Sequence, residues 1–516
     1  MKIKFLGFAA LLAGALNPAN AVPADQAALV LHADQAGPVI NRNLYGQFSE
    51  HLGHCIYGGI WVGPDSPIPN TRGIRNDVIA ALKELHVPLL RWPGGCFADE
   101  YHWMNGIGPR DKRPAMINTT WGGVVENNSF GTHEFMDFCE LIGAEPYVSG
   151  NVGSGSVQEM MDWVEYMTSD ANSPMANLRR ANGRDKPWKV HYLGVGNESW
   201  SCGGNMRPEF YADNFRRYNT FVKDHPGNKI YRVASGSNGD DYNWTEVLMG
   251  EAASQMNGLS VHYYTLPSGD WSKKGSATEF SEAQAFDTLR RGFAIDGLIA
   301  KHSAIMDKFD PAKKVGLAVD EWGVWTDVEP GTNPAFLFQQ NSLRDALVAA
   351  IHLHIFQKHA DRVVMANIAQ MVNVLQSMIL TENEKMVLTP TYHVFEMFKV
   401  HQGATSLPVD LTGPDYVLGA EKIPAVSASA SRDSAGRVHL SLVNTNPHGP
   451  VTVACALHGL AAKTVTGRIL TAPAMTAHNT FAAPHTVEPK AFTGATLAGD
   501  QLTVVLPAES VVILEL

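Results

Sequence analysis

The chain has 516 residues, of which 45% are hydrophobic and 18% charged, against a globular average of about 25% charged. That composition buries large cores and excludes disordered and fibrous classes. A formal net charge of −11, with no Lys/Arg run, also removes the basic surface that a nucleic-acid partner would require.

The chain opens with Lys2 and Lys4, an apolar run from Phe5 to Leu16, and the small-x-small pattern Ala19-Asn20-Ala21. These features in this order predict a cleaved export signal at 1–21, and hence a periplasmic or secreted protein. The run is too short for a stable membrane anchor, and no later stretch predicts a membrane span. Five cysteines, Cys55, Cys96, Cys139, Cys202 and Cys455, lie far apart with no C-x-x-C pair. This spacing fits neither a zinc framework nor a disulfide-dense scaffold.

Eight short apolar runs follow, at Leu44–Phe48, Pro88–Trp92, Glu145–Ser149, His191–Val195, Ile230–Ala234, Leu259–Tyr263, Gly316–Val319 and Val363–Ile368. Stretches of helical periodicity separate them, among them Ile74–Leu85, Thr132–Ile142, Val157–Met167, Glu209–Val222 and Asn341–Lys358. One strand per helix predicts a parallel sheet, and eight units over this length fit a closed (β/α)8 barrel. An open doubly wound sheet also satisfies the count. Beyond Gly403 the texture turns to alternating strands (Val438–Val443, Val451–Ala456, Thr464–Leu470, Leu502–Leu506, Ser510–Leu516), an all-β sandwich of jelly-roll type. The expected division is therefore a leader at 1–21, a strand segment at 22–43 that joins the sandwich, a catalytic barrel at 44–403, and the sandwich at 404–516.

Working residues of an α/β barrel gather at the C-terminal ends of its strands. Here strand one runs into Glu50-His51, strand two ends at Arg91-Trp92-Pro93-Gly94-Gly95-Cys96, and strand four at Gly196-Asn197-Glu198. Strand six ends at His262-Tyr263-Tyr264, strand seven at Asp320-Glu321-Trp322, and strand eight gives Gln370. Glu198 and Glu321 are the sharpest pair. Two carboxyl groups facing each other across a barrel mouth suit glycoside hydrolysis, one protonating the leaving oxygen while the other attacks the anomeric carbon or activates water. A single glutamate in such a place would read as an ordinary loop carboxylate.

Gly194-Val195-Gly196-Asn197-Glu198, Asp320-Glu321-Trp322-Gly323-Val324-Trp325, Arg91-Trp92-Pro93-Gly94-Gly95 and Glu50-His51-Leu52-Gly53 resemble, in family order, motifs of glycoside hydrolase family 51, mostly α-L-arabinofuranosidases. The resemblance implies a catalytic barrel with a C-terminal β-sandwich and a retaining double displacement. Glu198 would be the general acid/base and Glu321 the nucleophile. Glu50, Arg91, Asn197, Tyr264 and Gln370 would line the site of the terminal arabinofuranose, with His262 near the nucleophile. Cys96 stands where many members carry a sugar-binding asparagine, and Trp92 where tyrosine is common; if the thiols of Cys96 and Cys202 are close but free, Cys96 shapes the sugar pocket by size rather than by hydrogen bonding. The implied substrates are arabinan, arabinoxylan and arabino-oligosaccharides, with no cofactor or metal; relatives often form homo-oligomers. The alternatives are the same mechanism on xylosidic or β-glucan linkages, or a carbohydrate-binding protein with a degenerate site.

A retaining mechanism predicts carboxyl groups about 5–5.5 Å apart, against roughly 6.5–9.5 Å for inversion, and a raised pKa at Glu198. Cys96 and Cys202 both fall in loops on the predicted catalytic face. A bridge between them requires the loops to lean across strand three; two independent thiols are at least as good a reading. Gly150-Asn151-Val152-Gly153-Ser154-Gly155 matches no phosphate-loop pattern. His352, His354 and His359 lack the i, i+4 spacing of a helical metal site, and His51, His54 and Cys55 lack a partner cluster. Trp61, Trp103, Trp121, Trp200 and Trp271 are candidate sugar-stacking rings, each more often core.

Overall fold

The computed structural model describes residues 25–516. Eight parallel strands close into a barrel: Gly46–Phe48, Leu89–Trp92, Glu145–Gly150, Tyr192–Val195, Tyr231–Asn238, Gly258–Thr265, Gly316–Val324 and Val363–Ile368. Closure is direct, because the eighth strand pairs with the first through Asn367↔Gly46 and Ile368↔Gln47. The open-sheet alternative is thereby excluded. Every expected strand is present, but the fifth, sixth and seventh run four, two and five residues farther than their apolar runs. Their polar ends, Ser-Gly-Ser-Asn, His-Tyr-Tyr-Thr and Asp-Glu-Trp-Gly-Val, continue the ladder as lining of the barrel mouth. Periodicity located the helices well: Thr132–Ile142 is as expected, and Asn76–Glu84, Val157–Thr168, Pro208–Phe221 and Leu343–Lys358 differ by one or two residues at their ends.

Beyond the barrel, two antiparallel-rich sheets pack together. One has the order Val409–Thr412, Gln26–His32, Val451–His458, Gln501–Leu506, Ala495–Ala498; the other contains Thr405–Leu407, Val426–Arg432, Val438–Asn444, Ser510–Glu515, Thr466–Thr471 and Lys490–Ala491. Strand Gln26–His32 lies second in the first, antiparallel to Val409–Thr412 and parallel to the central strand Val451–His458. Strand Gln501–Leu506 of the first sheet alternates exposed and buried residues, whereas Val438–Asn444 of the second is buried throughout. Its second face meets helix Leu343–Lys358, where His354 lies between Ser427 and Ser441, 2.9 Å from each hydroxyl. His354 is therefore a packed core residue, and His359 is tied to Asp296 on the neighbouring helix. Among the described residues no helix is long and apolar enough to cross a membrane.

Candidate active site

Strands six and seven build the floor of the site. They run in register with His262 opposite Glu321 and Tyr264 opposite Gly323, and the register shifts between Ser260 and His262, and on the other edge between Val319 and Trp322. In a regular strand consecutive side chains point to opposite faces; these irregularities let Asp320 and Glu321 both reach the barrel interior. Arg91, from strand two, answers them. Its guanidinium donates to Glu321 Oε1 at 2.7 Å and to Asn197 Oδ1 at 2.6 Å. Its Nε lies 3.7 Å from Asp320 Oδ2, and Phe48 lies 4.6 Å beneath it. Tyr264 donates to the other Glu321 oxygen at 2.7 Å, and Tyr147 donates to Asp320 at 2.7 Å. Both lone oxygens of Glu321 are thus held by donors, one of them cationic.

Glu198 follows strand four at φ 38°, two residues after Gly196 at φ 86°. A glutamate in the left-handed region is strained; the turn that fixes it is closed by Ser201 N and Gly203 N, which donate to the Glu198 carbonyl at 2.7 and 3.1 Å. His262 Nδ1 is 2.9 Å from Glu198 Oε1 and 3.5 Å from Glu321 Oε2, while its Nε2 is 3.2 Å from Asp320. Burial opposes charge on His262, but Glu321, Asp320 and Glu198 outweigh it and push its pKa up to about 10. It is a cation at neutral pH. Burial, joined by the charge of Glu321, raises the Glu198 pKa, with His262 and Arg91 acting the other way. An oxygen of Glu198 lies within 4.8 Å of an oxygen of Glu321.

Cys96 and Cys202 are bridged, with Cα atoms 5.5 Å apart. The reason the loops can lean across strand three is Asp99, three residues past Cys96. Its buried carboxylate accepts from Val152 N (2.7 Å) and Gly153 N (2.9 Å) after strand three, and from Asn197 N (3.0 Å) after strand four. Sequence reading missed Asp99, and an aspartate in a 3-10 turn gives no signal that it will gather three loops. Cys96 is therefore not a free thiol in the sugar pocket; its sulfur and that of Cys202 lie 3.7 and 3.4 Å from Glu198 Oε2. A disulfide has no hydrogen to donate, so these contacts exclude water from the acid rather than stabilise its anion. The bridge also removes both thiolates from any cation site. Glu198, His262 and Glu321 already have their charges answered by each other and by Arg91, so we read the cluster as an ion-pair network rather than a set of metal ligands.

Glu50 braces the opposite wall. Its Oε1 accepts from Gly95 N (3.0 Å), Phe97 N (3.1 Å) and Trp121 Nε1 (3.0 Å), and Gln370 donates to Oε2. Burial and then the charge of Glu321 push its pKa up to about 7. The pocket brings together Glu50, Cys96, Glu198, Tyr264, Glu321 and Gln370. Arg91, Asn197 and His262 sit directly behind them. Buried polar atoms at this site without a protein hydrogen bond include Arg91 Nε and Asp320 Oδ1, which belong to the ion-pair network, and Asn197 Nδ2 and Gln370 Oε1. Trp325 also lines the pocket and packs on Tyr264, with the half-exposed Trp271 edge-on to it. Trp61 and Trp103 are core, and Trp92 is buried against Phe135 and donates to His51.

Residues 81–286 match the family model described as "Alpha-L-arabinofuranosidase 1 domain", and residues 320–510 the one described as "Alpha-L-arabinofuranosidase C-terminal domain". A Bacteroides ovatus protein named "Intracellular exo-alpha-L-arabinofuranosidase" is 54% identical over the full length of both chains. The chain belongs to glycoside hydrolase family 51, the α-L-arabinofuranosidases. The crystal structure of the family 51 arabinofuranosidase from Xanthomonas axonopodis pv. citri superposes with a TM-score of 0.94 at 57% identity, covering 95% of this chain and 99% of that one. The Thermotoga maritima α-L-arabinofuranosidase, in its arabinose complex, gives 0.85 at 32% identity, covering 95% and 100%.

Family membership corrects one expectation. The Bacteroides relative is named as intracellular and matches end to end, which points away from the export expected from residues 1–21. A basic start and an apolar run are a compositional pattern, and those residues lie outside the described ones.

Proposed function

We propose that this family 51 enzyme removes terminal non-reducing α-L-arabinofuranosyl groups from arabinan, arabinoxylan or their oligosaccharides, with retention of configuration. The observation that carries the mechanism is the close carboxylate pair: an oxygen of each lies within 4.8 Å of the other, which supports the short spacing of about 5–5.5 Å that a double displacement uses. Glu321 attacks the anomeric carbon, its charge held until then by Arg91 and Tyr264. Glu198, whose proton is favoured by burial, protonates the leaving oxygen and then, as carboxylate, activates the water that releases the sugar. Its two oxygens are distinct, because Oε1 pairs with His262 and Oε2 lies against the Cys96–Cys202 sulfurs. Asn197 Nδ2 and Gln370 Oε1, unpartnered and buried, suit hydroxyls of the bound furanose.

The catalytic unit in this reading is 44–403, with 404–516 and the strand from 22–43 as its support; Gln26–His32 crosses into the sandwich sheet, which favours that division. A panel of 4-nitrophenyl α-L-arabinofuranoside, β-D-xyloside and β-D-glucoside tests the substrate. Turnover confined to the arabinoside is expected; preferred turnover of another glycoside, or binding without turnover, overturns the assignment.

A further inference from the structure

The Cys96–Cys202 bridge touches the one acid whose protonation the proposed reaction needs, and touches it at the oxygen that carries the proton. With carboxylate oxygens at both ring nitrogens, His262 is held as the doubly protonated ring and donates from Nδ1 to Glu198 Oε1, so the acidic hydrogen of neutral Glu198 belongs on Oε2. That oxygen lies 3.4 Å from Cys202 Sγ and 3.7 Å from Cys96 Sγ. A disulfide sulfur accepts weakly from a carboxylic O–H and offers nothing to a carboxylate. The charged or titratable groups that also face Glu198 are His262, Tyr264, Glu321 and Arg91, and none of them changes with redox state.

We propose that the disulfide is a positioning group that holds Glu198 in its acid form, and that reductive opening of the bridge moves the acid toward its carboxylate. In that step two electrons and two protons pass from an external dithiol, itself oxidised to a disulfide, and the S–S bond becomes two S–H groups. Thiols donate to a carboxylate where the bridge could not. Two unbonded sulfurs also need more room than a bonded pair, so one is displaced and water enters. Both effects favour the anion. Cys202 is exposed to reductant, whereas Cys55, Cys139 and Cys455 are buried free thiols. With export corrected, nothing about the compartment fixes the pair as oxidised.

This inference rests on Glu198 as the acid/base. The test is the pH dependence of kcat/KM on an arabino-oligosaccharide, whose sugar leaving group needs the Glu198 proton, for full-length protein before and after dithiothreitol. Titration of the denatured protein should show thiols rising from three to five. The expected result is an alkaline limb lower by half a pH unit or more, hence about threefold less activity above it, with acid-side activity kept and the change reversed on reoxidation. Cys202→Ala should carry the lowered limb permanently and ignore dithiothreitol. An unmoved limb at five thiols overturns the proposal, as does an equal dithiothreitol response in Cys202→Ala. A uniform loss at every pH also overturns it, since that reports only a loosened loop. An oxidised protein that turns over no arabinoside would instead remove the acid/base reading, and this inference with it.

Discussion

Replacing Arg91 tests the electrostatic design of the site in two graded steps. The Arg91 side chain is 2% exposed, and its fork joins Glu321 at 2.7 Å to Asn197 at 2.6 Å, with Asp320 3.7 Å from Nε. Lysine keeps the charge but not the fork, so Arg91→Lys surrenders at least one charge-assisted hydrogen bond. Such a bond is worth about 1.5–3 kcal/mol, and at roughly 1.4 kcal/mol per tenfold the expected loss in kcat/KM is about 10- to 150-fold. Arg91→Met goes further, leaving Asp320 and Glu321 buried with His262 as their remaining cation. Breaking a buried pair in this way costs about 3–5 kcal/mol of stability. Kinetics on 4-nitrophenyl α-L-arabinofuranoside and thermal denaturation read the two effects separately. Arg91→Lys within twofold of the parent, or Arg91→Met with an unchanged midpoint, would refute the reasoning.

Glu198→Ala should retain glycosylation by substrates with good leaving groups yet stall afterwards, and added azide should restore turnover; Glu321→Ala should lose activity on every substrate. Equal losses with no azide response would contradict the division of roles. Gly95→Ala places a Cβ 2.5 Å from Glu321 Oε1, so kcat should fall by about tenfold or more through misplacement of that carboxylate; an unaltered kcat would count against so tight an approach. Burial pushes His352 and His354 down to about 3 and His393 to about 4. The unfolded chain therefore binds more protons below pH 6.5, and stability should decline from there toward pH 4 by about 1.4 kcal/mol per pH unit for each such histidine. A thermal midpoint that holds or rises between pH 6.5 and 5 would exclude this.

The barrel was legible because each strand is an apolar run with a helix of clear periodicity behind it, and the carboxylate pair because both glutamates fall where such strands end. The extensions of strands five to seven were not, since polar residues that pave a barrel mouth lose the hydrophobic signal that marks a strand. Asp320 was visible in Asp-Glu-Trp but had no assigned part, because only the register shifts beside it turn consecutive carboxylates inward. Asp99 left no trace at all, as its three partners are backbone N–H groups. The same residue decides whether Cys96 meets Cys202, which spacing alone left open.

The stereochemistry of the first product tests the central claim most directly. Proton NMR of 4-nitrophenyl α-L-arabinofuranoside hydrolysis, read before mutarotation, should show α-L-arabinofuranose appearing first, as a double displacement through Glu321 requires. The β anomer appearing first would mean a single displacement by water and would contradict the account.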